Sequence, residues 1–326
     1  MATSATIPQR ARPQGRASFL SRLFSGDSLA QALTFCCATL ILVITALLVW
    51  ELWLHSALAR EKFGFHFLDT STWNPVTEQF GALPFIYGTV VTSLLALLIA
   101  VPFGVGAAIF LAELAPPKLS DALTFLIELL AAVPSVIFGL IGILVLVPIL
   151  TTVVPPIKDL FGDHPPFFFS GAFYGPSLLA AGVVLSVMIA PFIISVSREV
   201  LLAVPKDLRE AALALGATRW ETTWDVVVPY ARRGIMGSIF LAMARSLGET
   251  MAVTMVVGNT PKISASLLSQ GYSMASVIAN EFSEAIGNIY PSALIEVALV
   301  LFGITIMMNS IARLLILATS EKGASR

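Results

Sequence analysis

The stretch REVLLAVPKDLREAALALGATRWETTWDVVVPYARR, residues 198–233, is a charged insert between two long apolar runs. Its local chemistry predicts two short helices joined by a sharp turn. Pro205 sits where a helix can begin, because its missing N–H leaves nothing unsatisfied there. Leu208, Ala211, Ala212 and Leu215 follow at helical spacing and form one apolar stripe. Gly216 supplies a stop, where a left-handed residue commonly closes a helix. Thr218 with Glu221 three residues on has the signature of a capping box for the next helix. Pro229 is expected to mark a break before the apolar run that follows.

The composition around this insert is that of a bilayer protein. Hydrophobic residues make up 57% of the chain and charged residues 12%, and mean hydropathy is +0.88. A soluble domain carries about twice that share of charge. A spanning helix needs roughly 20 mostly apolar residues. Stretches at about 30–54, 83–112, 122–150, 177–197, 234–258 and 292–318 qualify. The expected fold is therefore an all-α polytopic membrane protein with six transmembrane helices. Pro102 and Pro134 are candidate kink sites in the longer second and third stretches.

Lys and Arg set the orientation. With the amino terminus inside, the insert carries Arg198, Lys206, Arg209, Arg219, Arg232 and Arg233, while the outer loops hold only Arg60, Lys62, Lys158 and Lys262. Both termini and the 198–233 loop are thus expected in the cytoplasm, with the chain in a bacterial inner membrane. Residues 1–28 read as a disordered cytoplasmic tail rich in Pro, Ser, Gln and Arg. Residues 29–55 read as an uncleaved first transmembrane helix, since the apolar core is too long for a signal peptide. The adjacent Cys36 and Cys37 read as small packing residues. His55, His66 and His164 are scattered and lack metal-ligand spacing, so no metal site is expected.

The insert has a further regularity: Glu210-Ala211-Ala212, three residues, Gly216, nine residues, then Val226-Val227-Val228-Pro229. This resembles the EAA-x3-G-x9-I-x-L-P loop of importer-type ABC permeases, with Val226 and Val228 in place of Ile and Leu. The resemblance implies the type I, MetI-like permease fold over 83–318. It also implies that the loop at 198–233 docks an ATPase through Glu210, Ala211, Ala212, Gly216 and Pro229. No lysine in the chain follows a glycine, so a G-x-x-x-x-G-K phosphate loop is missing. The chain is then no enzyme and holds no cofactor; ATP and Mg are bound by the partner.

An ionisable group at the centre of a span costs about 2.5–3.5 kcal/mol on insertion scales, which makes it a functional candidate. Arg245 and Glu249 lie near the middle of the fifth stretch, four residues apart and so expected on one helix face. They could be an internal ion pair that pins helices, or a polar lining of a translocation path. Glu113, Glu128 and Glu296 are expected to be structural.

The segment ARSLGETMAVTMVVGN, residues 244–259, is similar to the fifth span of PstC-type permeases of high-affinity phosphate importers. Trp73-Asn74-Pro75, Phe85-Ile86-Tyr87-Gly88-Thr89 and Pro134-Ser135-Val136-Ile137-Phe138-Gly139 match as well. The resemblance implies a phosphate path in which Arg245, Glu249 and Thr250 take part. It implies a PstA-type sister permease, a PstB-type ATPase dimer and a PstS-type periplasmic phosphate-binding protein as partners. The outer loops, with Asn280, Glu281, Glu284 and Asn288, would face the binding protein. A permease for another oxyanion, such as phosphonate, molybdate or sulfate, is the alternative, because specificity lies largely in the binding protein. A secondary transporter would leave the loop unexplained.

Overall fold

A computed structural model describes residues 26–160 and 166–321. The expected tail falls almost wholly outside the described residues. Among the described residues the structure is helical, with one isolated bridge between Asn74 and Gln79, and six helices are long and apolar enough to cross a membrane. The chain divides into two units, Met1–Glu51 and Leu52–Arg326. The described part of the first unit is the body of the helix Gly26–His55, whose side chains from Ala30 onward are exposed almost throughout.

The second unit holds the other spans: Leu83–Ile109, Ser135–Leu160, Leu178–Leu202, Arg219–Leu247 and Ile289–Glu321. Its main core is built where Leu83–Ile109 and Leu178–Leu202 lie side by side, around Ala96, Ala181, Leu185 and Ile189. Small residues allow that approach, as expected for helices that associate by packing. A second core, at the end opposite the 198–233 loop, gathers Phe67, Phe80, Phe85, Tyr272, Met274 and Leu294. A third, at the loop end, joins Ala108, Ile109, Leu201, Val204, Val227 and Ala231. Between the fourth and fifth spans the hydroxyls of Ser197 and Ser238 meet at 2.7 Å, so neither is left unsatisfied in the interior.

Three expectations about the spans are corrected. The third stretch is two helices, Pro117–Ala131 and Ser135–Leu160, broken at Ala132–Pro134; the residue before a proline disfavours the helical conformation. The fifth stretch ends at Leu247, and a separate helix Met251–Val256 follows. Pro229 does not interrupt the chain: helix runs without a break from Arg219 to Leu247. A π-turn at Thr223–Val227 immediately precedes it. The wider turn moves the carbonyl one turn back out of the way of the proline ring. The same device recurs at Gly142–Leu146 before Pro148, whereas the π-turn at Phe110–Leu114 closes its helix and Ala115 and Pro116 are extended. Leu83–Ile109 continues through Pro102.

Candidate functional site

The 198–233 loop begins with the helix Lys206–Ala214, capped by Pro205. Gly216 closes it at φ +93°, a conformation open to glycine at little cost. The Gly216 N–H donates to the Leu213 carbonyl at 3.0 Å and the Ala217 N–H to the Ala212 carbonyl at 3.2 Å. These are the two bonds of a Schellman closure, and they satisfy carbonyls that the helix end would otherwise orphan. Thr218 and Glu221 then form the expected capping box: the Glu221 N–H donates to Thr218 Oγ1, and Glu221 Oε2 accepts from the Thr218 N–H at 2.7 Å. The second helix is not short, because it runs on into the fifth span.

No residue of Lys206–Ala214 is buried. Glu210 and Ala211 are exposed and Ala212 half-buried. Leu215 is 90% exposed, and the exposed rings of Trp220 and Trp224 meet edge to face at 5.6 Å. An apolar surface of this kind on a soluble-facing loop marks an interaction site. The loop helix is nonetheless held firmly from behind. Arg209 donates from Nη2 to Glu113 Oε1 at 2.7 Å and from Nε to Glu113 Oε2 at 3.2 Å. It also donates to the carbonyls of Leu201 at 2.7 Å and Val204 at 2.5 Å. A bidentate arginine–carboxylate pair fixes orientation as well as distance. Arg209 thus ties the loop helix to the ends of the second and fourth spans. No sequence signal marks its partner, which lies 96 residues earlier.

Arg245 and Glu249 are not on one helix. Arg245 sits in the last turn of Arg219–Leu247, and Glu249 lies in the break beyond it. Among the described residues no ion pair joins them, and the exposed Arg245 side chain has no hydrogen-bond or ion-pair partner. Glu249 Oε1 accepts from the Ala252 N–H at 3.2 Å, so this carboxylate caps the helix Met251–Val256. Thr250 is half-buried, and its carbonyl accepts from Thr254 Oγ1 at 2.7 Å. Met251–Val256 packs against Ser135–Ile141, where Gly139 faces Met255, Ala252 and Met251. The two interrupted segments are therefore neighbours, and broken helices at membrane depth are tolerated where they line a cavity or are buried in protein.

At the opposite end, Glu281 is engaged internally. Its Oε2 accepts from Trp73 Nε1 at 2.8 Å and from the Tyr290 hydroxyl at 2.6 Å, beneath a cluster of Trp73, Phe80 and Phe85 rings. Asn280 donates to the Tyr272 hydroxyl at 3.2 Å. Glu284 and Asn288 are exposed. Glu296 faces Arg60, Oε2 to Nε 3.7 Å, and Arg60 lies over the Trp53 ring. Glu128 is exposed on Pro117–Ala131.

Residues 100–319 match the family of binding-protein-dependent transport system inner membrane components. The chain is 46% identical over 315 residues to the phosphate transport system permease protein PstC of Mesorhizobium japonicum, covering 95% of this chain and 96% of that one. It is 50% identical to the PstC protein of Pasteurella multocida over 263 residues, 80% and 82% of the two chains. Among solved structures, a chain of a bacterial alginate ABC transporter in complex with alginate pentasaccharide-bound periplasmic protein superposes with a TM-score of 0.58. That match spans 89% of this chain and 96% of the other at 15% identity, a likeness of fold.

Proposed function

The chain belongs to the binding-protein-dependent transport system inner membrane components, and among them to the PstC-type phosphate permeases, and from that premise we propose that it is the transmembrane subunit of an ATP-driven importer of inorganic phosphate. A PstA-type sister permease completes the channel, a PstB-type ATPase dimer supplies the energy, and a PstS-type binding protein delivers the ion from the periplasm. Both termini and the 198–233 loop lie in the cytoplasm.

The observation that carries the proposal is the surface of Lys206–Ala214: none of its residues is fully buried in its own chain, yet the helix is clamped to two spans by Arg209. A helix presented outward and rigidly connected inward suits the transfer of a partner's motion. Closure of the ATPase around ATP would shift Glu210, Ala211 and Ala212, and the Glu113–Arg209 pair would pass that shift to the spans as a rigid-body switch. The tight Gly216 turn and the continuous helix through Pro229 keep the fifth span in the same linkage.

Arg245, Glu249 and Thr250 are assigned to the phosphate path. An arginine at span depth with no partner among the described residues calls for an anion, water or another chain to satisfy it, and its fork matches phosphate oxygens. The Arg245→Gln variant, assembled in the complete complex, is expected to lose phosphate uptake while retaining expression and ATPase association. Normal uptake by that variant would remove Arg245 from the path.

A further inference from the structure

The fifth and sixth spans line an open groove of about 660 Å³. From the fifth span it is lined by Gly237, Leu241 and Ala244, and from the sixth by Asn309, Ser310 and Arg313. The spacing places the polar three on one face of the sixth span. Arg313 stands at the loop end of that span, while the fifth span rises from Gly237 through Ala244 to Arg245, away from the loop. The groove therefore occupies the half of the bilayer nearer the 198–233 loop, with one arginine at its loop end and another just past its far end.

Among the described residues none of the polar side chains lining this groove has a partner. On the same helix Thr305 turns its hydroxyl back to the Leu301 carbonyl at 2.8 Å. Asn309, Ser310 and Arg313 make no hydrogen bond or ion pair among the described residues. Lipid tails offer such groups nothing, and polar side chains at membrane depth face a bundle interior or a water-filled cavity. No lining residue is acidic. The charge is positive and unopposed, and the fork of Arg313 suits an oxyanion. The amide oxygen of Asn309 and the lone pairs of Ser310 can accept the P–OH proton that hydrogen phosphate carries and sulfate lacks.

We propose that this groove is the cytoplasmic half of the phosphate path, with Asn309, Ser310 and Arg313 forming a second oxyanion station below Arg245. The proposal rests on the phosphate-permease assignment above. The open space at Gly237, where an added Cβ would meet nothing within 4 Å, keeps the channel wide.

The test uses the complete complex in proteoliposomes, with Cys36→Ala and Cys37→Ala as background and Leu241→Cys, which lines the groove outside the polar station, as the reporter. Anionic and cationic thiosulfonate reagents are applied from the cytoplasmic side, with and without inorganic phosphate or sulfate, in vesicles with and without phosphatidylglycerol. The anionic reagent is expected to react faster, phosphate to slow it and sulfate to slow it much less. Adding Arg313→Gln should weaken phosphate protection about tenfold, the cost of losing one charged hydrogen-bond partner. Absence of reaction in every nucleotide state would mean that another helix fills the groove, and would overturn the proposal. Protection by phosphatidylglycerol with none from phosphate would assign the groove to a lipid headgroup and overturn it as well. Phosphate uptake by the cysteine-free parent separates the two levels: uptake without groove protection defeats only the groove, whereas no uptake defeats the permease assignment.

Discussion

Arg209 and Glu113 form a two-pronged ion pair, at 2.7 and 3.2 Å, between the exposed loop helix and the end of the second span. Their side chains are only 19% and 10% exposed. Removing one partner of such a pair leaves an uncompensated charge and costs roughly 3–5 kcal/mol, far more than a surface pair is worth. Because Arg209 also binds the Leu201 and Val204 carbonyls, its loss would free the loop helix from both spans at once.

The first prediction follows from that geometry. Glu113→Ala is expected to leave the ATPase bound in co-purification but to cut uptake per ATP hydrolysed by about tenfold or more, which needs only part of the cost of a lost buried pair to fall on coupling. Glu113→Asp, which keeps the charge, should retain more coupling. Equal uptake-to-hydrolysis ratios in wild type and Glu113→Ala would show that the pair transmits nothing.

Gly216 tests the turn. Its φ of +93° costs a residue with a side chain roughly 1–2 kcal/mol, although a Cβ there would meet no atom within 4 Å. Gly216→Val should lower the thermal stability of the complex and weaken ATPase retention, while Gly216→Asn should be milder because asparagine tolerates the left-handed region. Identical behaviour of the two variants would mean that the backbone conformation is not what matters.

Gly88 tests the end opposite the 198–233 loop. A Cβ on it would lie 2.1 Å from the Tyr272 carbonyl oxygen, so Gly88→Ala must displace the backbone of the outer loop. Overpacking of this kind costs about 1–3 kcal/mol. The expected outcome is reduced stimulation of ATP hydrolysis by the binding protein, measured against unchanged basal hydrolysis. Unaltered stimulation would separate this loop from binding-protein docking.

Tyr272 carries a pH signature. Burial is the main cause that pushes its phenol well above the ordinary value, with the Asn280 hydrogen bond opposing. A folded-state value above the unfolded one means that stability is intact below about pH 10, the unfolded value, and falls as pH rises beyond it. Tyr272→Phe should therefore flatten the alkaline loss of stability seen by thermal unfolding. A slope above pH 10 as steep as that of wild type would place the titrating group elsewhere.

The loop was legible because each of its signals is local: a stripe at helical spacing, a glycine stop and a capping box within three residues. The span count was legible from apolar length alone. The breaks at Ala132–Pro134 and Gly248–Thr250 were harder, since apolar residues continue on both sides and hydropathy does not register a missing backbone bond. Gly248 and Glu249 were the available signals, a helix stop followed by a carboxylate that caps the next helix. Pro229 misled for the opposite reason: its clash is relieved by a π-turn, in which Thr223 and Val227 are buried, and no local sequence pattern marks it. The partners of Arg209 and Glu281 are distant in sequence, so no periodicity could pair Arg209 with Glu113 or Glu281 with Trp73.

ATP-dependent uptake of labelled phosphate into proteoliposomes tests the central claim most directly. This chain, the sister permease, the ATPase and the binding protein would be reconstituted together and compared with the same vesicles lacking the ATPase, using sulfate as the competing ion. Phosphate should accumulate only with ATPase and ATP present, sulfate should not, and Glu210→Lys should abolish accumulation. Phosphate entry without the ATPase, or accumulation unaffected by Glu210→Lys, would contradict an importer driven through this loop.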